Sequence, residues 1–208
     1  MIEYPTIMNS SKAPREPCLA FDKLDGSNFR AKWTQKQGFN LFGTRTQLIN
    51  ENTPFWSEMI SIFKSTLNDK LEQLIKDNFR NERQIVVFGE FLGENSFAGF
   101  HVDEPHQIII IDILVGHKNP FFIKPREFAG EVGKYVSIPR IIHDGNLSNQ
   151  FINDVREDRF GLKEGVICKG LTTSGAYRGK IWMCKIKTNL YRDKIRAKFN
   201  TDWIKYWE

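Results

Sequence analysis

Phe21-Asp22-Lys23-Leu24-Asp25-Gly26-Ser27-Asn28 is the stretch from which the rest of the chain can be read. It places an amine, a carboxylate, a glycine and a small amide within a few residues. Lys23 is a candidate nucleophile. In an extended segment Asp25 points to the same side, because side chains alternate with period two. Gly26 permits a tight turn or the close approach of a ligand to the backbone. Ser27 and Asn28 add short hydrogen-bonding groups. A lysine attacks phosphorus or carbonyl carbon only as the neutral amine, so a site that uses one must depress its pKa or bring a cation close. A surface turn with a solvated lysine is the competing reading, and for these residues taken alone it is the commoner one.

Working outward, Ser27 to Trp33 alternates as a strand does, and Phe39 to Arg45 follows as another, so Lys23 lies just ahead of a hairpin. Residues 1–20, with three prolines, read as a wrapping lead-in with little regular structure. Thr53-Pro54 reads as an N-cap with proline at the first helical position. Beyond it Phe55, Met59, Ile62, Phe63, Leu67, Leu71, Leu74 and Ile75 recur at helical steps, which predicts one amphipathic helix to about Asn78 that packs on a sheet. Gln84 to Leu92 and Gln107 to Val115 are apolar strands, each carrying an acid, Glu90 and Asp112. Lys124 to Val132 reads as a short helix. Residues 137–147 read as a loop with an Asp144-Gly145-Asn146 turn, and Ser148 caps a short helix to about Glu157. Glu164 to Lys169 and Ile181 to Lys187 are the last strands. The tail from Asn189 to Glu208 reads as a helix docking Trp203, Tyr206 and Trp207. With no repeat, linker or low-complexity tract, residues 1–208 are expected to form one domain. Many hairpin strands and one long helix indicate an α+β class with antiparallel sheets flanked by helices, rather than alternating βαβ units.

The composition is globular. Of 208 residues, 13% are aromatic and 26% charged, which excludes a disordered chain. A net charge of +5 permits an anionic partner such as a nucleotide or nucleic acid without requiring one. Cys18, Cys168 and Cys184 are an odd number at wide spacing with no Cys-x-x-Cys, which argues against a disulfide framework or zinc site and for a reducing, cytoplasmic setting. The N-terminus has neither the basic lead nor the apolar run of a signal peptide, and the run Ile108 to Val115 is too short to span a bilayer. A soluble chain with no membrane partner is expected.

Charged residues recur at strands and strand edges where packing alone would not put them: Lys23 and Asp25, Glu90, Glu164, and Lys185 with Lys187. Gathered in a cleft, two lysines on one strand face would bind phosphates. The carboxylates would hold Mg²⁺, mostly through water. A metal near Lys23 would free its amine, and Arg45 could add a phosphate contact. Together these parts suggest phosphoryl or nucleotidyl transfer to a lysine. Each part also has a plain reading: Glu90 as a rim acid, Glu164 as a strand-end acid, Lys185 and Lys187 as a solvated face.

Lys23-Leu24-Asp25-Gly26-Ser27-Asn28, Phe88-Gly89-Glu90-Phe91, Ile110-Ile111-Asp112-Ile113, Glu164-Gly165-Val166-Ile167-Cys168-Lys169 and Lys185-Ile186-Lys187 resemble, in order, motifs I, III, IIIa, IV and V of the covalent nucleotidyltransferases. That superfamily comprises DNA ligases, RNA ligases and mRNA capping enzymes. Asn28, and the arginine of Gly43-Thr44-Arg45-Thr46, make the chain most similar to ATP-dependent RNA ligases of the RNA ligase 2 type. The resemblance covers about residues 20–188. It implies a nucleotidyltransferase fold (an ATP-grasp-like ligase adenylation domain), with ATP and Mg²⁺ or Mn²⁺ as cofactors. It also implies a three-step reaction. Lys23 takes AMP from ATP, AMP passes to a 5′-phosphate, and a 3′-hydroxyl displaces it.

The resemblance makes Lys23, Lys185 and Lys187 catalytic. It implies an ATP or AMP site of Asp22, Lys23, Leu24, Asn28, Arg45, Glu90, Ile111, Glu164, Lys185 and Lys187, with the metal's water shell held by Asp25, Glu90 and Glu164. Within that site Lys185 and Lys187 would contact the α-phosphate, Glu90 the ribose or a metal-bound water, and Arg45 the ribose or the 5′-phosphate of the polynucleotide. Two features depart from the family pattern. Ile111 stands where motif IIIa often has an aromatic ring to stack on adenine. The chain also ends soon after Lys187, where related enzymes carry an oligonucleotide-binding barrel or a helical domain. A bare, monomeric adenylyltransferase domain is therefore expected, acting on RNA as nicked duplex or single-stranded ends. The alternatives are a minimal DNA ligase, an RNA–DNA nick sealer, a capping guanylyltransferase and a non-catalytic end-binding module.

Overall fold

The computed structural model describes residues 1–54, 56–93, 101, 104–199 and 201, with Tyr177 described by its backbone alone. In chain order the strands are β1 (Met8–Asn9), β2 (Pro17–Lys23), β3 (Ser27–Thr34), β4 (Gly38–Gly43), β5 (Leu48–Ile49), β6 (Gln84–Leu92), β7 (Gln107–Val115), β8 (Phe121–Phe122), β9 (Ile141–Asn146), β10 (Gly165–Leu171) and β11 (Ile181–Lys187). The helices are α1 (Ser57–Thr66), α2 (Asn68–Asn78), α3 (Pro125–Glu131), α4 (Asn149–Arg156) and α5 (Asn189–Phe199). The class is α+β. The chain divides into two compact units, the first of Met1–Pro5 and Asp25–Ile138, the second of Thr6–Leu24 and Pro139–Glu208.

The first unit is built on a six-stranded sheet of order β5-β4-β3-β6-β7-β8. All of its neighbours run antiparallel. Alternation gives the sheet two faces. Phe63 of α1 packs against Phe29 at 5.3 Å, Phe39 at 5.0 Å and Phe42 at 5.5 Å between ring centroids, which seats that helix on the sheet. Elsewhere Val86, Phe88 and Leu114 are covered by Met1, Tyr4, Ile111 and Phe122.

The single long helix expected here is two helices. Leu67 breaks the run at φ −118° and ψ −30° while its N–H still donates to the Phe63 carbonyl. The apolar stripe passes through the break unchanged, so periodicity does not register it. Thr53 closes a turn rather than capping α1: its carbonyl accepts from Trp56 N and Ser57 N at 3.3 and 3.1 Å, and the helix begins at Ser57.

The second unit has a five-stranded sheet of order β1-β11-β10-β2-β9, with β1 parallel to β11 and the other pairs antiparallel. Phe151, Ile152 and Val155 of α4 bury the face formed by Cys18, Ala20, Val166, Cys168, Cys184 and Ile186. Ser148 caps α4, its Oγ accepting from Phe151 N at 3.0 Å. The expected loop over 137–147 is instead largely strand: β9 pairs with β2, setting Asp144 opposite Leu19 and Gly145 opposite Cys18. It is an edge strand of turn-forming residues, and its extended form comes from the partner's ladder rather than from its own pattern. In α5, Tyr191, Arg192 and Ile195 face inward. Trp203, Tyr206 and Trp207 lie outside the described residues. Among the described residues no helix is long and apolar enough to cross a membrane.

Candidate active site

The candidate residues fall into two sets, one in each unit. In the second unit, sheet register assembles the charged set. Gly165 pairs with Lys23 on one side and Lys187 on the other, so the ends of β2, β10 and β11 meet in one row. Glu164, just ahead of that row, reaches both lysines. Its Oε2 lies 2.7 Å from Lys23 Nζ and its Oε1 3.6 Å from Lys187 Nζ. The Glu164 carbonyl accepts from Thr188 N at 3.0 Å, which ties the carboxylate's backbone to the start of α5. Gly165 must be glycine, because a Cβ there would stand 2.0 Å from the Ile186 carbonyl oxygen.

Burial separates the two lysines. Glu164 and Lys187 are 3% and 7% exposed, whereas the Lys23 side chain keeps 23% of its surface in solvent. A reacting amine must be reachable; a charge that only stabilises can be sunk. Burial pushes the Lys187 pKa down to about 8, with Glu164 opposing the fall and the charges of Lys23 and Lys185 adding to it. The Lys187 ammonium also stands 5.2 Å from the centroid of the Tyr191 ring. Lys185 lies opposite Ile167 and is half-buried. Asp22 is held beside Arg140, its N–H donating to the Arg140 carbonyl at 2.8 Å and its Oδ2 lying 3.5 Å from the guanidinium. Burial raises the Asp22 pKa, and Arg140 works against that rise. Leu24 is half-buried at the end of this unit.

The first unit holds the second set. Asn28 on β3 is directly opposite Glu90 on β6. Asn28 Oδ1 is buried and has no hydrogen-bond partner among the described residues. Arg30, two residues on, is 3% exposed and donates from Nη1 to the Met1 and Ile2 carbonyls at 3.2 and 2.9 Å. Ile111 is half-buried in the cluster around Phe88. Asp112 is 2% exposed and accepts a hydrogen bond from the Tyr4 hydroxyl. Burial, with the Asp112 charge next, holds the Tyr4 pKa well above its usual value, so the hydroxyl stays a donor. Arg45 is exposed, in the turn closed by Thr44 N and the Gln47 carbonyl at 2.9 Å.

Strand β2 ends at Lys23, so the alternation expected to bring Asp25 to the same side does not continue, and Asp25 belongs to the other unit. Three contributors were not anticipated. Arg140 beside Asp22 sits in the segment read as a loop. Tyr4 sits in the lead-in. Arg30 could have been found, because it follows Asn28 by two in an alternating strand. Among the described residues no group of three or more His, Cys, Asp or Glu could hold a metal ion directly.

The RNA ligase family model matches residues 16–183. Among solved structures, an archaeal ATP-dependent RNA ligase superposes with a TM-score of 0.69 at 13% identity, over 100% of this chain and 56% of that one. A mutant of Naegleria gruberi RNA ligase without ligand gives 0.69 at 16% identity, over 95% and 58%. Another, with ATP and Mn, gives 0.68 at 15% identity, over 93% and 58%. This chain therefore spans little more than half the length of these structures, and at such identities they establish the fold. No curated protein sequence matches it. The extent of the family match is decisive: the chain belongs to the RNA ligase family.

Proposed function

We propose that the chain is the adenylyltransferase part of an ATP-dependent RNA ligase, with its two units acting as one catalytic domain. The observation that carries this reading is the carboxylate of Glu164 held between Lys23 and Lys187. It is supported by a family match that runs through both units. In the first step the Lys23 amine attacks the α-phosphate of ATP. A nitrogen–phosphorus bond forms, the bond to pyrophosphate breaks, and AMP remains on the lysine. Lys23 must shed a proton to do this, and Glu164 is the adjacent acceptor. Lys187 and Lys185 would offset the charge that builds on the phosphate oxygens, an effect strengthened where water is excluded. Glu90 and Asn28 would hold the ribose or metal-bound water, Ile111 would cover the base, and Arg45 would reach the ribose or the nucleic-acid 5′-phosphate. Asp22 and Leu24 would line the same nucleotide. AMP would then pass to a 5′-phosphate, and a 3′-hydroxyl would displace it.

A divalent ion would be held through water. In the first unit Asp25 and Glu90 would supply carboxylates, and the buried Asn28 oxygen, which has no partner among the described residues, can accept from a water. In the second unit Glu164 would supply another carboxylate. Mg²⁺ or Mn²⁺ would supply charge neutralisation at the phosphates. Matched nicked RNA, nicked RNA–DNA hybrid, nicked DNA and single-stranded RNA, offered side by side with ATP, test the reading. Sealing of an RNA strand is expected. Sealing of DNA alone would replace it with the minimal DNA ligase.

A further inference from the structure

We infer that His101 is a positioning residue that fastens the main chain of Asp25. His101 is 7% exposed, and both of its ring nitrogens face oxygens. Nε2 lies 2.8 Å from the Asp25 carbonyl oxygen, across 76 positions of sequence. A carbonyl can only accept, so Nε2 is the donor. Nδ1 lies 3.1 Å from Glu104 Oε2, and Glu104 N donates to the His101 carbonyl at 3.4 Å. The ring is thus held at one nitrogen and holds Asp25 with the other.

The next residue is pinned from another direction. A Cβ on Gly26 would stand 2.4 Å from the Phe91 carbonyl oxygen and 2.8 Å from Glu90 Cγ, so the backbone lies directly on the end of β6. Ser27 then enters the ladder opposite Phe91. His101 on one side and β6 on the other leave the Asp25–Gly26 main chain no slack, and this fixes where the Asp25 carboxylate is presented. A carboxylate that orders a metal's water shell gains from such support, since loss of an outer partner typically costs 10–100-fold in metal affinity. This consequence rests on the proposed adenylylation, in which Asp25 orders that shell. The tether itself does not.

The test uses the full chain and three substitutions. In His101→Ala the donor is lost. In His101→Gln the amide nitrogen reaches about as far as Nε2, whereas in His101→Asn it reaches only as far as Nδ1. Hydrogen exchange over residues 22–28 reads the tether. Adenylylation with labelled ATP across a Mg²⁺ titration reads its consequence. In the alanine and asparagine variants, exchange is expected to rise about tenfold, and the Mg²⁺ half-saturation to rise roughly tenfold with the ATP half-saturation unchanged. Glutamine should restore both. If His101→Ala does not fold, Glu104→Ala, which frees only Nδ1, should shift both readouts in the same direction by less. Unchanged exchange in the alanine variant overturns the tether. Faster exchange with unchanged metal dependence overturns the positioning role. A wild-type chain that takes no label refutes the function reading and the metal consequence together, while the exchange comparison still decides the tether.

Discussion

In the second unit, Lys23, Glu164 and Lys187 are placed by a strand ladder and joined by charge: one row of paired residues brings the ends of three strands together, and one carboxylate meets two ammonium groups. In the first unit a ladder likewise sets Asn28 opposite Glu90, and Arg30 and Asp112 on either side of Phe88, but the contacts that hold them are hydrogen bonds to hydroxyl, carbonyl and imidazole groups. A tyrosine hydroxyl meets Asp112, backbone carbonyls meet Arg30, and an imidazole meets the Asp25 carbonyl. The contrast matches two kinds of work. Charge-dense groups that share a carboxylate can exchange protons and stabilise a shifting phosphate charge. Groups held by packing and hydrogen bonds offer shape and fixed acceptors, which is what recognition needs. Removing one member should therefore affect chemistry in the second unit and affinity or stability in the first.

The largest expected effect is in the second unit. Lys187→Ala should lower the rate of AMP transfer to the protein by roughly 100-fold or more, the scale of losing one pre-aimed donor. Circular dichroism should remain that of the wild type. A folded variant with an unchanged rate would remove Lys187 from the chemistry. Next comes Glu90→Ala in the first unit. It should raise the ATP half-saturation about tenfold, equivalent to one lost hydrogen bond, with a smaller change in maximal rate. If instead the maximal rate collapses at unchanged half-saturation, the division of labour between the units is wrong. Tyr4→Phe removes the hydroxyl from buried Asp112 and should cost about 1.5–3 kcal/mol of stability in urea melts. A neutral result would mean that Asp112 does not depend on Tyr4.

The remaining effect is on pH. The unfolded chain protonates Lys187 up to about 10.5, the folded chain only up to about 8. Between these values the unfolded state binds the extra proton, so this residue makes the folded chain gain stability as pH rises through that window. Below it the full penalty of burying the charge is present. Lys187→Met should flatten the rise in urea midpoint across the same window, and an identical slope in both proteins would refute the burial argument.

Much of the charged set was legible in the sequence, because its residues break apolar strands: Glu90 within Val86 to Phe91, and Lys185 and Lys187 at the end of Ile181 to Lys187. Strand alternation marks such residues without any knowledge of the fold. What was not legible depends on partners distant in sequence. Strand β9 carries the turn signal Asp144-Gly145-Asn146 and is extended only because β2 pairs with it. The break at Leu67 keeps the apolar spacing. Tyr4, 108 positions from Asp112, sits in a proline-containing lead-in with no pattern of its own. His101 carries no periodic signal, and its role exists only once the Asp25 carbonyl is beside it.

The central claim is that the lysine which shares Glu164 with Lys187 carries the AMP. Incubation of the full chain with labelled ATP and Mg²⁺, followed by denaturation and peptide mass spectrometry, tests it most directly. The expected result is AMP bound to Lys23 in the wild type and no adduct in Lys23→Ala. An adduct on another residue, or one that survives Lys23→Ala, would contradict it.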